Sequence, residues 1–569
     1  MSKEPTYTSP SKARLADELS RLDKELISLL QKRSALLAEA QPQTAGKRPK
    51  DLDSDLEKTI WRVWESAISP AKRDTRLWRT LFTLVQELPP ADTGLAEAVE
   101  SSDKTQGFLL TPRAHMGDVA AQSPGSHDMA CFNLALAVQS PSPFSLSGAV
   151  LNDHLVSLIK SLNQAGASLH WDDEGVHSRG PREQGFDGKI IYAGDSPLTL
   201  YLLLALALAE PGRCKFTGGT QLKLANLAPL IQLFPSLGTR LSQVIPGSSG
   251  IPARIEVSAV LPEEVRLPRD LPPLFACALA LAAPSYPNGM TLSWEEDAPF
   301  ADALAPVADL LTAWSLNAEL SPTALSVSPG APEPPENYRL PMDPRIGSWL
   351  LALPLVTGQK GKEQDAKAVI DGVWPRDLAP WSYLKNLLRA ASLDVTPGAD
   401  SAVSRFGTKA DKGSLLLDST AFPEYFPFTA SLAAVLAMNG KRVRITPPSD
   451  TERGFAMELY ERLGLTLTQE GESFTVVKSG QAPDTRKLTP WLSPGPAWTL
   501  AMALAAFRRP GMALANPGGV TELMPGFWTL YNALPEPPKG LGQSMGQARG
   551  SKKETSDDKP KPKGRRIRL

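Results

Sequence analysis

The sequence predicts an α/β protein of two lobes, built from six repeated α/β units and preceded by a small all-α helical segment. Three observations carry this prediction. Ala/Leu-rich segments recur along the chain, most of them are followed by a turn, a strand and an amphipathic helix, and residues 1–95 have a purely helical pattern instead. The fold class is therefore α/β.

The Ala/Leu-rich segments form an internal repeat with a spacing of roughly 70 residues. Their apolar residues cover nearly the whole helix surface, which is typical of helices enclosed between sheets and other helices. Two groups of three units are the compact arrangement, and the cleft between the groups is the expected ligand site. The six segments are Cys131–Gly148, Thr199–Gly218, Leu274–Trp294, Gly347–Gln359, Thr429–Thr446 and Trp498–Asn516.

Changes in composition divide the chain into parts. Residues 1–95 form the helical segment, residues 105–126 plus 341–538 form lobe I, and residues 127–340 form lobe II. Residues 539–569 are rich in Gly, Ser, Lys and Pro, which predicts a disordered basic tail. The helical segment is too small to bury its apolar stripe well alone, which favours a dimer or docking on a partner protein.

Charge and cysteine content exclude several classes of function. The net charge is −1, so any attraction for anions must come from local clusters of Lys and Arg. The three cysteines are far apart without a CxxC pair, so we expect no metal, no cofactor and no disulfide framework. The longest apolar run, Leu198–Ala209, is too short to span a bilayer. We therefore expect a cytoplasmic protein without membrane contact, and the tail has no aromatic residues to stack on nucleic-acid bases.

Two histidines lie in the segment HWDDEGVH. His170 and His177 flank acidic residues there, a pattern that favours a strand-and-turn edge over a metal site.

The repeats and several motifs resemble those of the 5-enolpyruvylshikimate-3-phosphate (EPSP) synthases, also called 3-phosphoshikimate 1-carboxyvinyltransferases. The best local match is Ser449–Leu465, which resembles the family's K-E-T-D-R segment and the helix after it. Pro124-Gly125-Ser126 resembles the start of the P-G-S-K-S segment, and Phe422–Phe426 resembles the D-x-P-D segment. The resemblance implies the two-lobed enolpyruvyl transferase-like fold.

The resemblance also implies a reaction. The family transfers the enolpyruvyl group of phosphoenolpyruvate to the 5-hydroxyl of shikimate 3-phosphate, a step of the shikimate pathway to aromatic amino acids. A site of this kind brings two anions together, so it needs cations as well as groups that move protons. The implied partners are these two anionic small molecules.

The family motifs, carried over residue by residue, give three candidate catalytic residues. Glu424 stands where the family has its Asp base, His127 where it has a Lys, and Asp128 where it has a Ser. We predict that His127 and Asp128 act as a base and its orienting carboxylate. A helix-start role for Asp128, and a solvated carboxylate at a helix N-terminus for Glu424, are the alternatives.

The same comparison gives four candidate substrate-binding residues. Arg453 occupies the Arg position of the K-E-T-D-R segment, three residues after Asp450, and Ser126 matches the P-G-S start. Lys223 lies near Ala225, which replaces the Arg that binds phosphoenolpyruvate in the family. An Arg beside acidic residues is also explained by a surface ion pair.

Two function hypotheses remain, because most other cation positions of the family carry uncharged residues here. One is a divergent enolpyruvyl transferase whose missing cations are supplied by Lys223, Arg345 and Arg442. The other is a catalytically silent relative that binds a pathway enzyme or metabolite.

The N-terminal helices resemble the all-helical chorismate mutases. Arg33 matches the family's second Arg and Asp51 an acid of its middle helix, whereas the first-helix Arg position is Ala16. Mutase activity is one interpretation, and association with a second copy or a pathway enzyme is the other.

Overall fold

The computed structural model describes residues 107–535 with gaps, together with residues 28, 29, 32 and 33. The gaps are residues 114–116, 182–184, 246–247, 258–260, 337, 358–365, 376–378, 408–414, 421, 480–483 and 486–487. Nearly all of the mutase-like segment, including Asp51, and the whole basic tail lie outside the described residues. Those interpretations therefore stay predictions.

The described strands are short, and most of them alternate between buried and more exposed residues. They are β1 (Phe108–Leu110), β2 (Val119–Gln122), β3 (Phe144–Leu146), β4 (Leu169–Asp172), β5 (Gly175–Ser178), β6 (Ile190–Tyr192), β7 (Gly212–Thr217), β8 (Thr239–Gln243), β9 (Ala253–Val257), β10 (Glu264–Arg266), β11 (Met290–Ser293), β12 (Ala318–Leu320), β13 (Ala324–Val327), β14 (Lys367–Asp371), β15 (Leu393–Pro397), β16 (Ser401–Phe406), β17 (Leu415–Leu417), β18 (Val443–Ile445), β19 (Leu465–Glu470), β20 (Ser473–Lys478) and β21 (Met512–Leu514).

The described helices include apolar helices in the interior and amphipathic helices nearer the surface. They are α1 (His127–Ala137), α2 (Asp153–Gln164), α3 (Pro197–Ala207), α4 (Thr220–Leu224), α5 (Ala228–Leu233), α6 (Pro273–Ala282), α7 (Phe300–Ala313), α8 (Pro344–Leu351), α9 (Pro354–Thr357), α10 (Ala379–Ala390), α11 (Phe426–Met438), α12 (Asp450–Leu463), α13 (Pro496–Ala506) and α14 (Phe527–Ala533).

Four sheets share one topology. Their strand orders are β2-β14-β16-β15, β6-β7-β9-β8, β10-β11-β13-β12 and β17-β18-β20-β19. In each sheet the first pair is parallel and the two following pairs are antiparallel. The sheet β3-β5-β4 has the same antiparallel part without the parallel edge strand, and β1 pairs with β21 alone. The predicted α/β class with six repeated units is confirmed.

The Ala/Leu-rich helices are buried on all sides. In α3, every residue from Leu202 to Ala207 is buried, and α1, α6, α11 and α13 are enclosed in the same way. Such a helix has no polar face, and the few polar side chains within it, such as Asn133 in α1 and Ser431 in α11, are buried and hydrogen-bonded inside the protein. Pairs of these helices, α3 with α6 and α11 with α13, pack directly against each other.

Two separate hydrophobic cores divide the described residues. One core contains buried residues from Ala130 to Leu340, and the other contains residues from Leu110 to Ala121 together with Met342 to Leu534. The predicted lobe boundaries stay a proposal, which this separation supports. Among the helices of the described part, none is long and apolar enough to cross a membrane.

Truncation in an apolar helix tests how much the repeat depends on this burial. Leu203 in α3 is fully buried, so we expect Leu203→Ala to reduce the free energy of unfolding by about 2–5 kcal/mol through lost burial and the cavity left behind. Leu492 is 69% exposed, and Leu492→Ala is the matched control with little expected effect. Urea unfolding followed by circular dichroism measures both variants, and equal losses would contradict the packing described here.

Candidate functional site at the lobe interface

The chain crosses between the two cores twice, and the two crossings are hydrogen-bonded to each other. The backbone N–H of Ser126 donates to the carbonyl of Pro341 at 2.7 Å, and that of Asp343 donates to the carbonyl of Pro124 at 2.8 Å. A Cβ at Gly125 would lie 2.8 Å from the backbone oxygen of Gly148, so this close approach requires glycine. Helices α1 and α8, one from each lobe, therefore begin side by side.

Each of these helices carries its own cap. The Ser126 hydroxyl accepts from the Met129 N–H at 3.4 Å at the start of α1. The Asp343 carboxylate accepts from the N–H groups of Arg345 and Ile346, at 3.0 and 3.1 Å, at the start of α8. Ser126, predicted as a substrate ligand, thus has a structural role as a helix cap.

Arg345 is the cation at the centre of the interface. Its Nη2 lies 3.4 Å from Oδ2 of Asp343, whose side chain is only 7% exposed. Burial alone would lower the pKa of Arg345, but the charges of Asp343 and of Asp128, from the other lobe, raise it overall. The guanidinium is therefore held in its charged form between carboxylates of both lobes.

His127 lies next to this group at the start of α1. Its Nδ1 is 3.4 Å from Nδ2 of Asn152, and its Nε2 is 3.5 Å from Sγ of Cys131. Since the amide nitrogen of Asn152 only donates, Nδ1 of His127 accepts. Burial lowers the pKa of His127, with Arg345 acting in the same direction and Asp128 opposing it. The neutral imidazole, the form that accepts a proton, is favoured.

Asn152 joins the two lobes through one side chain. Its Oδ1 accepts from the N–H of Leu155 at 2.8 Å and caps α2 in lobe II. Its Nδ2 donates to the carbonyl of Glu522, in lobe I, at 2.7 Å. The orientation of His127 is thereby coupled to the contact between the lobes.

Glu424 lies at an exposed position in the short 3-10 helix Pro423–Tyr425 before α11, and its neighbour Tyr425 is among the groups that act on Arg345. Partial burial raises the pKa of Glu424, and burial with the Glu424 charge raises the pKa of Tyr425 while Arg345 opposes it. Burial also raises the pKa of Tyr383 to about 12, and its hydroxyl donates to the carbonyl of Asp418 at 3.0 Å. A carboxyl that retains a proton more readily is suited to acid–base work.

The remaining predicted residues lie elsewhere. Arg453, in α12, pairs with Asp450 at 3.5 Å and donates to the carbonyl of Glu472 at 3.4 Å. Lys223 is the penultimate residue of α4 and is half-buried. The charged groups that shift the pKa of His127 or of Arg345 do not include Arg453, Asp450 or Lys223.

Arg442 also lies outside the interface. It borders a shallow depression on the exposed face of the sheet that contains β18, beside Arg444 and the exposed Leu416. Arg444 pairs there with Glu470 at 3.7 Å. Of the three cations expected to replace the missing ones, the structure places Arg345 at the interface.

Sequence reasoning missed Asp343, Asn152, Tyr425 and Tyr383. Two of them had a recognisable sequence pattern: Asp343 precedes Pro344 and Asn152 precedes Asp153, and both patterns are typical of a helix start. Both signals predict a cap, but they give no information about the opposite lobe.

Comparison with known proteins agrees with this architecture, although no family model matches the chain. The 3-phosphoshikimate 1-carboxyvinyltransferase of Methanosarcina acetivorans is 23% identical over 374 residues, which is 63% of this chain and 83% of that protein. The enzyme of the same name from Methanococcoides burtonii is 22% identical over 336 residues, 57% of this chain and 75% of its own length.

Solved structures show the same fold. EPSP synthase from Acinetobacter baumannii superposes with a TM-score of 0.60 at 13% identity, covering 74% of this chain and 97% of that one. The enolpyruvyl transferase NikO from Streptomyces tendae gives a TM-score of 0.56 at 17% identity, covering 74% and 96%.

The six repeated units, the two cores and the helix ends that meet between them define the class of enolpyruvyl transferase-like α/β proteins. Within that class, the chain is similar in sequence and in fold to the EPSP synthases, as the motifs predicted.

The raised pKa of Glu424 predicts a pH-dependent contribution to stability. Partial burial disfavours the ionised carboxylate, so the contribution of Glu424 is complete below the pKa of an unfolded Glu, about 4.3, and is lost as the pH rises through the folded pKa. Glu424→Gln replaces the carboxyl with a neutral amide, so the stability at this position no longer falls as the pH rises. We therefore expect a higher urea midpoint than in the wild type at about pH 7, and a smaller difference at about pH 4. Glu319→Gln, at an exposed position, is the control, and a midpoint for Glu424→Gln at or below wild type at about pH 7 would contradict the assignment.

Proposed function

We propose that this protein acts in the shikimate pathway as a divergent EPSP synthase that transfers the enolpyruvyl group of phosphoenolpyruvate to shikimate 3-phosphate. The reaction forms a C–O bond to the 5-hydroxyl and releases inorganic phosphate. The likeness to the two archaeal 3-phosphoshikimate 1-carboxyvinyltransferases supports the choice of substrates.

One observation carries the proposal: a proton-transfer group and charged groups from both lobes meet at the same interface. His127 and Asp128 come from lobe II and Arg345 comes from lobe I, and Glu424 precedes Tyr425, on which Arg345 also acts. In this proposal Arg345 neutralises an anionic substrate group, while His127 and Glu424 move protons as the tetrahedral intermediate forms and collapses. Asp128 orients His127, and Lys223, Asp450, Arg453 and Ser126 stay proposed as substrate-binding residues.

Phosphate release measures the reaction directly. We expect the full-length protein to release phosphate from phosphoenolpyruvate only when shikimate 3-phosphate is present. Glu424→Gln removes the proton-transfer group with little change in shape, so we expect kcat to fall by about a hundredfold. Glu319→Gln again serves as the control. Failure of the wild type to release phosphate would exclude the transferase.

A second candidate, a catalytically silent relative, is favoured by the charges around Arg345. Asp343 and Asp128 already compensate its positive charge, so less of it is available to a doubly charged substrate. In this case the cleft binds a pathway metabolite, or the protein binds a pathway enzyme. Binding of shikimate 3-phosphate without phosphate release distinguishes the silent protein from the transferase.

The mutase-like segment supports a separate proposal that rests on sequence alone. Arg33 and Asp51 match family positions, and chorismate mutase activity or association with a partner through residues 1–95 are its two forms.

A further inference from the structure

The outer face of the sheet β3-β5-β4 in lobe II carries a row of polar side chains that belong to none of the cleft motifs. Ser145 of β3 stands directly opposite His177 of β5, and His177 stands opposite His170 of β4. Their neighbours Phe144, Leu146 and Val176 are buried on the other face. Strand alternation therefore places Ser145 and both histidines together on the solvent side.

Hydrogen bonds connect Ser145, His177 and Asp172 in series. Oγ of Ser145 lies 2.9 Å from Nδ1 of His177, and Nε2 of His177 lies 2.9 Å from Oδ1 of Asp172. An ionised carboxylate only accepts, so Nε2 carries the hydrogen and donates to Asp172. Nδ1 is then the acceptor for the Ser145 hydroxyl, which is the direction that general-base activation of a serine requires.

The base is held in a fixed orientation. Oδ1 of Asp172 also accepts from the N–H groups of Glu174 and Gly175, at 2.8 and 3.2 Å, in the turn between β4 and β5. The hydrogen bond from His177 lowers the pKa of Asp172, which keeps the acceptor ionised. The ring of His170 stacks on that of His177 with centroids 5.0 Å apart. The imidazole is thus restrained at both nitrogens and on one face.

We propose that Ser145 is a nucleophile, activated by His177 and oriented through Asp172, that accepts acyl groups from small activated esters. The Ser145 Oγ attacks the ester carbonyl, an Oγ–C bond forms, and the bond from that carbon to the leaving oxygen breaks. The serine proton passes to Nδ1 of His177 and then to the leaving oxygen, so the products are an acyl-serine and an alcohol or phenol. This reactivity is independent of the proposed transferase function.

A second exposed cross-strand serine provides an internal comparison. Ser326 of β13 stands opposite Thr291 of β11, and their hydroxyl oxygens are 3.0 Å apart. Ser326 has the same strand setting and solvent exposure as Ser145, but its partner is a hydroxyl and not an imidazole. A difference in reactivity between the two serines therefore reports the contribution of His177.

The experiment exposes the full-length protein to p-nitrophenyl acetate and measures acetylation of each serine by peptide mass spectrometry over time. We expect Ser145 to be acetylated and Ser326 to remain unmodified. His177→Gln should slow acetylation of Ser145 by about a hundredfold, the usual contribution of a general base. Asp172→Asn should slow it less, and Ser326→Ala should leave it unchanged.

A pH profile separates activation from simple positioning. The acetylation rate of Ser145 should depend on pH, and this dependence should disappear in His177→Gln. Among the residues that the structure describes, His170 and Asp172 are titratable groups in contact with His177 on this face. Circular dichroism confirms that each variant is folded. Acetylation of Ser145 at the rate of Ser326, or at a rate unaffected by His177→Gln, would overturn the proposal.

Discussion

Complete burial of the Ala/Leu-rich helices is the constraint on which the rest of the structure depends. A helix such as α3, apolar on every side, is stable only when sheets and other helices enclose it, and this is why six units assemble around two cores. The same constraint leaves the helix ends as the main places in these elements for charged and capping groups. Caps and charges therefore concentrate at the helix N-termini, and several of these meet where the chain passes between the lobes.

That concentration determines the chemistry of the interface. The N-termini of α1 and α8 carry Ser126 and Asp343 as caps, and a partial positive charge that favours carboxylates. Arg345 stays charged among these carboxylates because the positive and negative charges offset each other's cost of burial. In the proposed transferase, a substrate anion must therefore rearrange an existing ion pair, whereas a site rich in unpaired cations would bind anions directly. This balance separates an active transferase from a silent relative.

The architecture was predictable from the sequence because repetition makes a weak signal specific. One Ala/Leu-rich helix is ordinary core, but six copies with similar sequels indicate one unit. The start of α1 was also predictable, since a helix-start role was one interpretation of Asp128, which lies in the first turn of that helix. Contacts across the interface were not predictable, because Asn152 and Glu522 are separated by 370 residues and no local pattern indicates that they meet. Likewise, the outward position of Arg442 depends on which face of its sheet is buried, and its charge gives no information about that.

The central claim is that Arg345 is the cation through which the interface recognises an anionic substrate. Isothermal titration calorimetry with shikimate 3-phosphate tests it on the wild type and on Arg345→Gln, with Arg444→Gln on the outer sheet face as the matched control. The account predicts measurable binding by the wild type and by Arg444→Gln, and a loss of at least about tenfold in Arg345→Gln, as expected when a charge-assisted contact is removed. Equal affinity of wild type and Arg345→Gln, or no binding by the wild type, would contradict it.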